Sequence, residues 1–136
     1  TMDFDTASDE HIQFSVRMPK GWNASTLTAA FVWSHAATAT NFGVAWAIQA
    51  VSLVDDDVID TAFGTAIVTT DTGGTTDDIY ISADSTAVTI ANTPAKSDWV
   101  VFQVFRDVSD AGDTMAIDAR LHGVSIFYTA DTDTDD

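Results

Sequence analysis

The chain has 136 residues, no cysteine, and 21 acidic against five basic side chains, for a formal net charge of −16. The length suits one domain with a real core, and the lack of cysteine excludes disulfides, thiolate chemistry and cysteine–zinc sites. The charge argues against nucleic-acid or anionic-membrane binding through phosphate contacts, and no apolar run approaches the roughly 18 residues of a spanning helix.

Every acid except Glu10 is an aspartate, and Lys20 and Lys96 are the only lysines. A surface rich in Asp and poor in Lys suits a salty medium, where self-repulsion is screened. Calcium-holding loops and plain turn chemistry are the other two readings. Salt adaptation ranks first.

The opening TMDFDTASDE has neither a basic n-region nor an apolar h-region and is not expected to be a signal peptide. Residues 1–9 are read as an N-terminal arm. From there the apolar pattern has period 2, the mark of strands. HIQFSVR places Ile12, Phe14 and Val16 on one face, and MPKGW then breaks the pattern at Pro19 and Gly21. TLTAAFVWSHA aligns Leu27, Phe31 and Trp33, with His35 at its end. NFGVAWAIQAVSLV aligns Phe42, Val44, Trp46 and Ile48. TAIVTT is a short strand, DIYIS and TAVTIA form a hairpin across ADS, and DWVVFQVFRD and MAIDARLHGVSIFYT complete the set.

About eight strands joined by Asp/Gly/Thr/Asn turns predict an all-β antiparallel sandwich, jelly-roll-like, over residues 10–130. The tail at 131–136 is acidic and expected to be disordered. Trp99 to Phe105 is apolar on both faces, which predicts a second cover for that strand, such as a neighbouring subunit.

Several motifs invite chemistry. Asp71-Thr72-Gly73 matches the aspartic-protease triplet, but its threonine-rich setting favours a hydrophilic turn. Asp55, Asp56 and Asp57 in VDDDVID, and Asp107, Asp110 and Asp113 in DVSDAGD, offer oxygens for Ca2+; neither has EF-hand spacing, and solvated loops are the plainer reading. Carboxylates are too abundant for any pair to mark a glycosidase. His11, His35 and His122 lack metal-site spacing, and no nucleophile elbow or phosphate loop is present. Asn23-Ala24-Ser25 is a short glycosylation triplet of a kind that arises by chance.

Trp22 and Tyr80 are the candidates for a sugar-stacking surface; for Trp22, capping the sandwich edge is preferred. Arg17, Arg106, Asp118 and Arg120 are expected to form structural charge pairs, with Arg106 near Asp107 and Asp118 partnering Arg120 or Arg17.

The stretches FSVRMPKGWNASTLTAAFVWS, GVAWAIQAVSLVDDD and SDWVVFQVFRDVSDAGDTMAIDARLHGVSIFYT cover most of the chain. They carry an Arg-x-Pro-x-x-Trp turn (Arg17, Pro19, Trp22), Trp33, a Val-x-Trp strand (Val44, Trp46) and a final F-R-D … D-A-R-L-x-G-V-x-I-x-Y pair. In this the chain resembles the β-sandwich accessory virion proteins of tailed phages and related haloarchaeal viruses, which serve as capsid decoration, turret or spike, and tail-tip domains. The resemblance implies a virion location, homo-oligomers (often trimers), contacts with major capsid or tail proteins, no catalysis and no cofactor. The alternative is a carbohydrate- or receptor-binding jelly roll that meets a host surface glycan.

Overall fold

The structure, a computed structural model, describes residues 1–37 and 42–131. Alternation of apolar side chains places most of the strands. Those described are β1 (Met2–Phe4), β2 (His11–Arg17), β3 (Thr28–His35), β4 (Gly43–Leu53), β5 (Ile67–Thr72), β6 (Tyr80–Ile81), β7 (Ile90–Ala91), β8 (Trp99–Arg106) and β9 (Ala119–Phe127). They form two sheets, one in the order β1-β9-β3-β6 and one in the order β2-β8-β4-β5, with β7 parallel to β4 beyond the end of β5. All other pairings are antiparallel. The chain crosses between the layers at every connection except β4 to β5 and β7 to β8, and the two sheet orders are those of a jelly roll.

The inner faces meet around Trp46. Phe4 approaches its ring edge-on at 5.2 Å, and Phe31 and Trp33 lie at 6.1 and 6.5 Å. Phe102, Val100 and Val104 of β8 and Leu121 of β9 complete the interior. Trp22 is 0% exposed and closes one end, where Asn23 N–H donates to Thr129 O and Asp131 N–H to Gly21 O. It caps the sandwich, so it is not an exposed stacking surface.

Three details differ from the sequence expectation. Residues 1–9 are not a free arm: Met2–Phe4 pairs with Ala119–Leu121, and Phe4 is buried. The DIYIS and TAVTIA segments do not pair with each other. They run along β3 and then cross to β4, because the Ser82 and Ser85 hydroxyls accept the Phe31 and Ala29 N–H groups where a regular ladder would need carbonyls. β9 begins at Ala119 rather than at Met115, and it bulges at His122, since Trp33 faces Leu121 while Val32 faces Gly123. The expected disordered tail lies outside the described residues except for Asp131.

A buried arginine joins the layers. Arg106 ends β8 with its side chain pointing inward and 0% exposed. Its Nε and Nη2 donate to the two carboxylate oxygens of Asp113 at 2.8 and 2.7 Å. Nη2 also donates to Met115 O, and Nη1 to Ile117 O, Phe4 O and Asp5 O. The guanidinium fork thus holds β1, β8 and the 107–118 loop together, and Asp113 passes the link to β4 by accepting Ala45 N–H. The partner is Asp113, not the expected Asp107, because the residue after Arg106 on an extended chain faces the other way. Arg120 lies on the surface with Asp77 and Asp3 at 3.2 and 3.5 Å, not with Asp118. Asp118 is exposed just before β9, and no ion pair among the described residues reaches it or Arg17.

Removing one partner from a buried ion pair strands the other charge. Arg106→Met should therefore lower the unfolding free energy in urea by about 3–5 kcal/mol, while Arg120→Met should cost under about 1 kcal/mol.

Candidate functional site

The residues singled out for chemistry serve mostly to hold loops in place. Asp71 sits on β5, faces inward and accepts the Trp33 indole N–H at 2.8 Å. A Cβ on Gly73 would lie 2.8 Å from the His35 ring, so the glycine is there for close approach. The His35 Nε2 faces Gly74 N–H, and its Nδ1 faces Ala37 O. The tautomer with Nδ1–H satisfies both contacts, donating to Ala37 O and accepting Gly74 N–H. The Asp-Thr-Gly triplet is thus the packed end of β5.

Tyr80 is half-buried. Its ring lies against Trp33 at 5.0 Å and His35 at 5.7 Å, and its hydroxyl accepts Thr75 N–H and donates to Thr75 O. With Trp22 in the core as well, the expected aromatic platform does not form.

The aspartate loops are bonded within themselves. Asp57 accepts Val54 N–H and the Asn92 amide, and Asp56 adopts φ 69°, which Asp tolerates. Asp107 accepts Ser109 N–H and Oγ–H, Asp110 accepts Gly112 N–H, and Asp113 is committed to Arg106. Among the described residues no three His, Asp or Glu side chains are grouped to hold a metal ion, so the expected calcium sets are not brought together. Asp5 is held below the usual carboxylate range by Ala7 N–H and then Ser8 N–H, with Arg106 adding a smaller pull. What this contributes to stability is present above the ordinary range and lost as pH falls through the lowered value.

The outer face of the β2-β8-β4-β5 sheet has a different character. Register puts Arg17, Trp99 and Leu53 in one row, then Ser15, Val101 and Val51, then Gln13, Gln103 and Gln49, then His11, Phe105, Ala47 and Val68. Ala45 and Thr70 follow. In a chain with 21 acids, no strand residue on this face is acidic. The Gln49 amide donates to Gln103 Oε1, and the His11 ring lies 4.5 Å from Phe105. Acids gather at the ends: Asp9 and Asp107 beyond the His11 row, Asp55 and Asp98 beyond the Arg17 row. The opposite sheet carries charge on its outer face, where Asp3, Arg120 and Ser34 align.

Trp99 is 45% exposed, while Trp22, Trp33 and Trp46 are fully buried. It stands with Arg17, Leu53, Asp55 and Asp98 around an open cleft of about 450 Å³. Apolar neighbours in sequence obscure the place of Trp99 in the alternation, which is outward, opposite Arg17. The acid-free face was itself visible as alternate residues of HIQFSVR, WVVFQVFR and AWAIQAVSL.

No protein family, curated protein or solved structure matches the chain.

If Asp71 serves packing, Asp71→Ala should cost about 1–3 kcal/mol in urea unfolding, and Asp71→Asn, which keeps an acceptor for the Trp33 indole, should recover most of that loss.

Proposed function

We propose that this chain is a non-enzymatic structural subunit that assembles with copies of itself through the outer face of the β2-β8-β4-β5 sheet. The acid-free face is the observation that carries the reading. Two copies of charge −16 repel at every acidic surface, and this face lets them approach without juxtaposing carboxylates. Val101 and Leu53 offer apolar contact there, and the glutamine row offers hydrogen bonds across the contact.

The size of the face sets the expected strength. Four strands about 4.8 Å apart, each about seven residues long at about 3.3 Å, make a patch of roughly 400 Å² in outline. A standard interface takes about 800 Å² from each partner. Association through this face alone is therefore weak, and it strengthens where salt screens the rest of the surface or where a particle holds many copies side by side.

Jelly rolls serve in viral capsids and in lectins, and the sequence resemblance to accessory virion proteins favours the first. On this reading the chain stands on the surface of a virus particle, on capsid or tail, in a saline habitat. The carboxylates that a catalytic reading would need are engaged in folding: Asp71 with Trp33, Asp113 with Arg106, and Asp98 with Ser52 and Ala95. The Trp99 cleft favours a second reading, a glycan-binding head, in which a sugar ring stacks on Trp99 and a polar group meets Arg17.

The exposed residues Gln13 and Ser15 allow a test that spares the core. The double variant Gln13→Glu/Ser15→Asp should weaken self-association in molar salt at least about tenfold, or about 1.4 kcal/mol, by light scattering. Ile81→Asp, exposed on β6 of the opposite sheet, should leave it unchanged. Equal effects from both variants, or none from either, contradict the assembly reading. On the glycan reading, Trp99→Ala abolishes glycan-array binding while the fold remains intact.

A further inference from the structure

A jelly roll closes one side of its sandwich with its first two strands. Here β2 has seven residues but β1 only three, against nine in β9. β1 pairs with β9 only at Ala119–Leu121, so the edge of β9 that follows Leu121 has no strand beside it among the described residues. β2 likewise pairs on one side only, with β8. Between these two edges the sandwich stands open.

The opening is apolar and reaches the core. Ile12 and Phe14 of β2 and Val124 and Ile126 of β9 point inward yet are only half-buried, and Val16 and Tyr128 are 40% and 46% exposed. Two open cavities of about 210 and 190 Å³ lie along the seam, one beside Ile12 and Val124, the other beside Val16 and Ile126. A methyl group on Gly123 would meet nothing within 4 Å. No acid lines either cavity.

We propose that this seam is an acceptor slot for one extended strand of a partner polypeptide, running antiparallel to β9 in line with β1, uncharged and apolar at alternate positions. Three observations select that occupant. β1 already sits on the same edge in that register, with Phe4 turned into the core, so the slot continues an existing pairing. The free edge offers unpaired backbone N–H and C=O groups, which a strand satisfies and a globular surface does not. The acid-free walls suit an uncharged segment, which the Asp-rich stretches 54–60 and 107–113 of this chain are not. The slot is a different surface from the assembly face, and the failure of one reading leaves the other standing.

Two probes test it. In trans, the peptide Lys-Thr-Val-Thr-Val-Thr-Val-Thr-Lys is added to the labelled full chain, and amide exchange is followed by NMR. In cis, the same nine residues are placed directly before Thr1, which lies at the mouth of the slot with its hydroxyl 3.0 Å from His122 Nδ1. The expected result is slowed exchange at 122–128 with either probe and a thermal midpoint raised by several degrees in the extended chain. Versions with each Val replaced by Asp should produce neither effect. If neither valine probe slows exchange at 122–128, or if the aspartate versions act equally, the proposal is overturned. Protection of 122–128 that grows with protein concentration and no peptide would put a second copy in the slot and would also overturn it.

Discussion

The fold depends on one guanidinium. Two stacked sheets need little beyond apolar contact to adhere, but contact alone does not hold a long Asp-rich loop or a three-residue strand. Arg106 does both. Its planar fork takes Asp113 through two nitrogens, while the same group gathers the Phe4, Asp5, Met115 and Ile117 carbonyls. A lysine offers no such fork. Because every donor is matched, the cost of burying the charge is met by hydrogen bonds on all sides. The loop tied down in this way lies against the end of the outer face, where Gly112 packs on Thr70.

Charge placement then separates the surfaces. With −16 on 136 residues, acid-free regions of any size are informative. Two stand out among the described residues, and both involve β2. Its outward residues, His11, Gln13, Ser15 and Arg17, belong to the flat sheet face; its inward residues, Ile12, Phe14 and Val16, line the open seam. A strand with a polar, acid-free outer side and an incompletely covered apolar inner side is under two different constraints, one for lateral contact and one for strand insertion. The aspartates stand at the ends and in the loops, where they hold turns and keep the remaining surface hydrated.

Much of this was legible in the sequence. The period-2 pattern located β2, β3, β4 and β8 closely, and the sandwich followed from their number and spacing. What was missed has local physical causes. β1 has a single buried anchor, Phe4, between two aspartates, too short a signal for alternation to register. β6 and β7 read as a hairpin because serine hydroxyls that complete a neighbouring strand's hydrogen bonds look, in sequence, like turn residues. Met115–Asp118 reads as strand, yet two of its carbonyls turn to Arg106 instead of a neighbouring strand. Trp99 stands among apolar residues in sequence yet is outward by parity, whereas Trp22 caps the sandwich edge as preferred, buried by its bridge to Ala130. Calcium was the lesser reading of the aspartate loops, and the carboxylates of Asp57, Asp107, Asp110 and Asp113 accept hydrogen bonds from N–H and O–H groups of the protein.

The most direct test follows molar mass and Trp99 together in the unmodified chain. Trp99 is the exposed indole and lies on the proposed contact face, so acrylamide quenching of tryptophan fluorescence reports whether that face is covered. Sedimentation and quenching would be measured on the same samples, from low salt to several molar NaCl. The account predicts that mass rises with salt to a discrete oligomer and that quenching falls in step. A monomer with quenchable Trp99 at every salt, or an oligomer whose Trp99 stays equally quenchable, would contradict it.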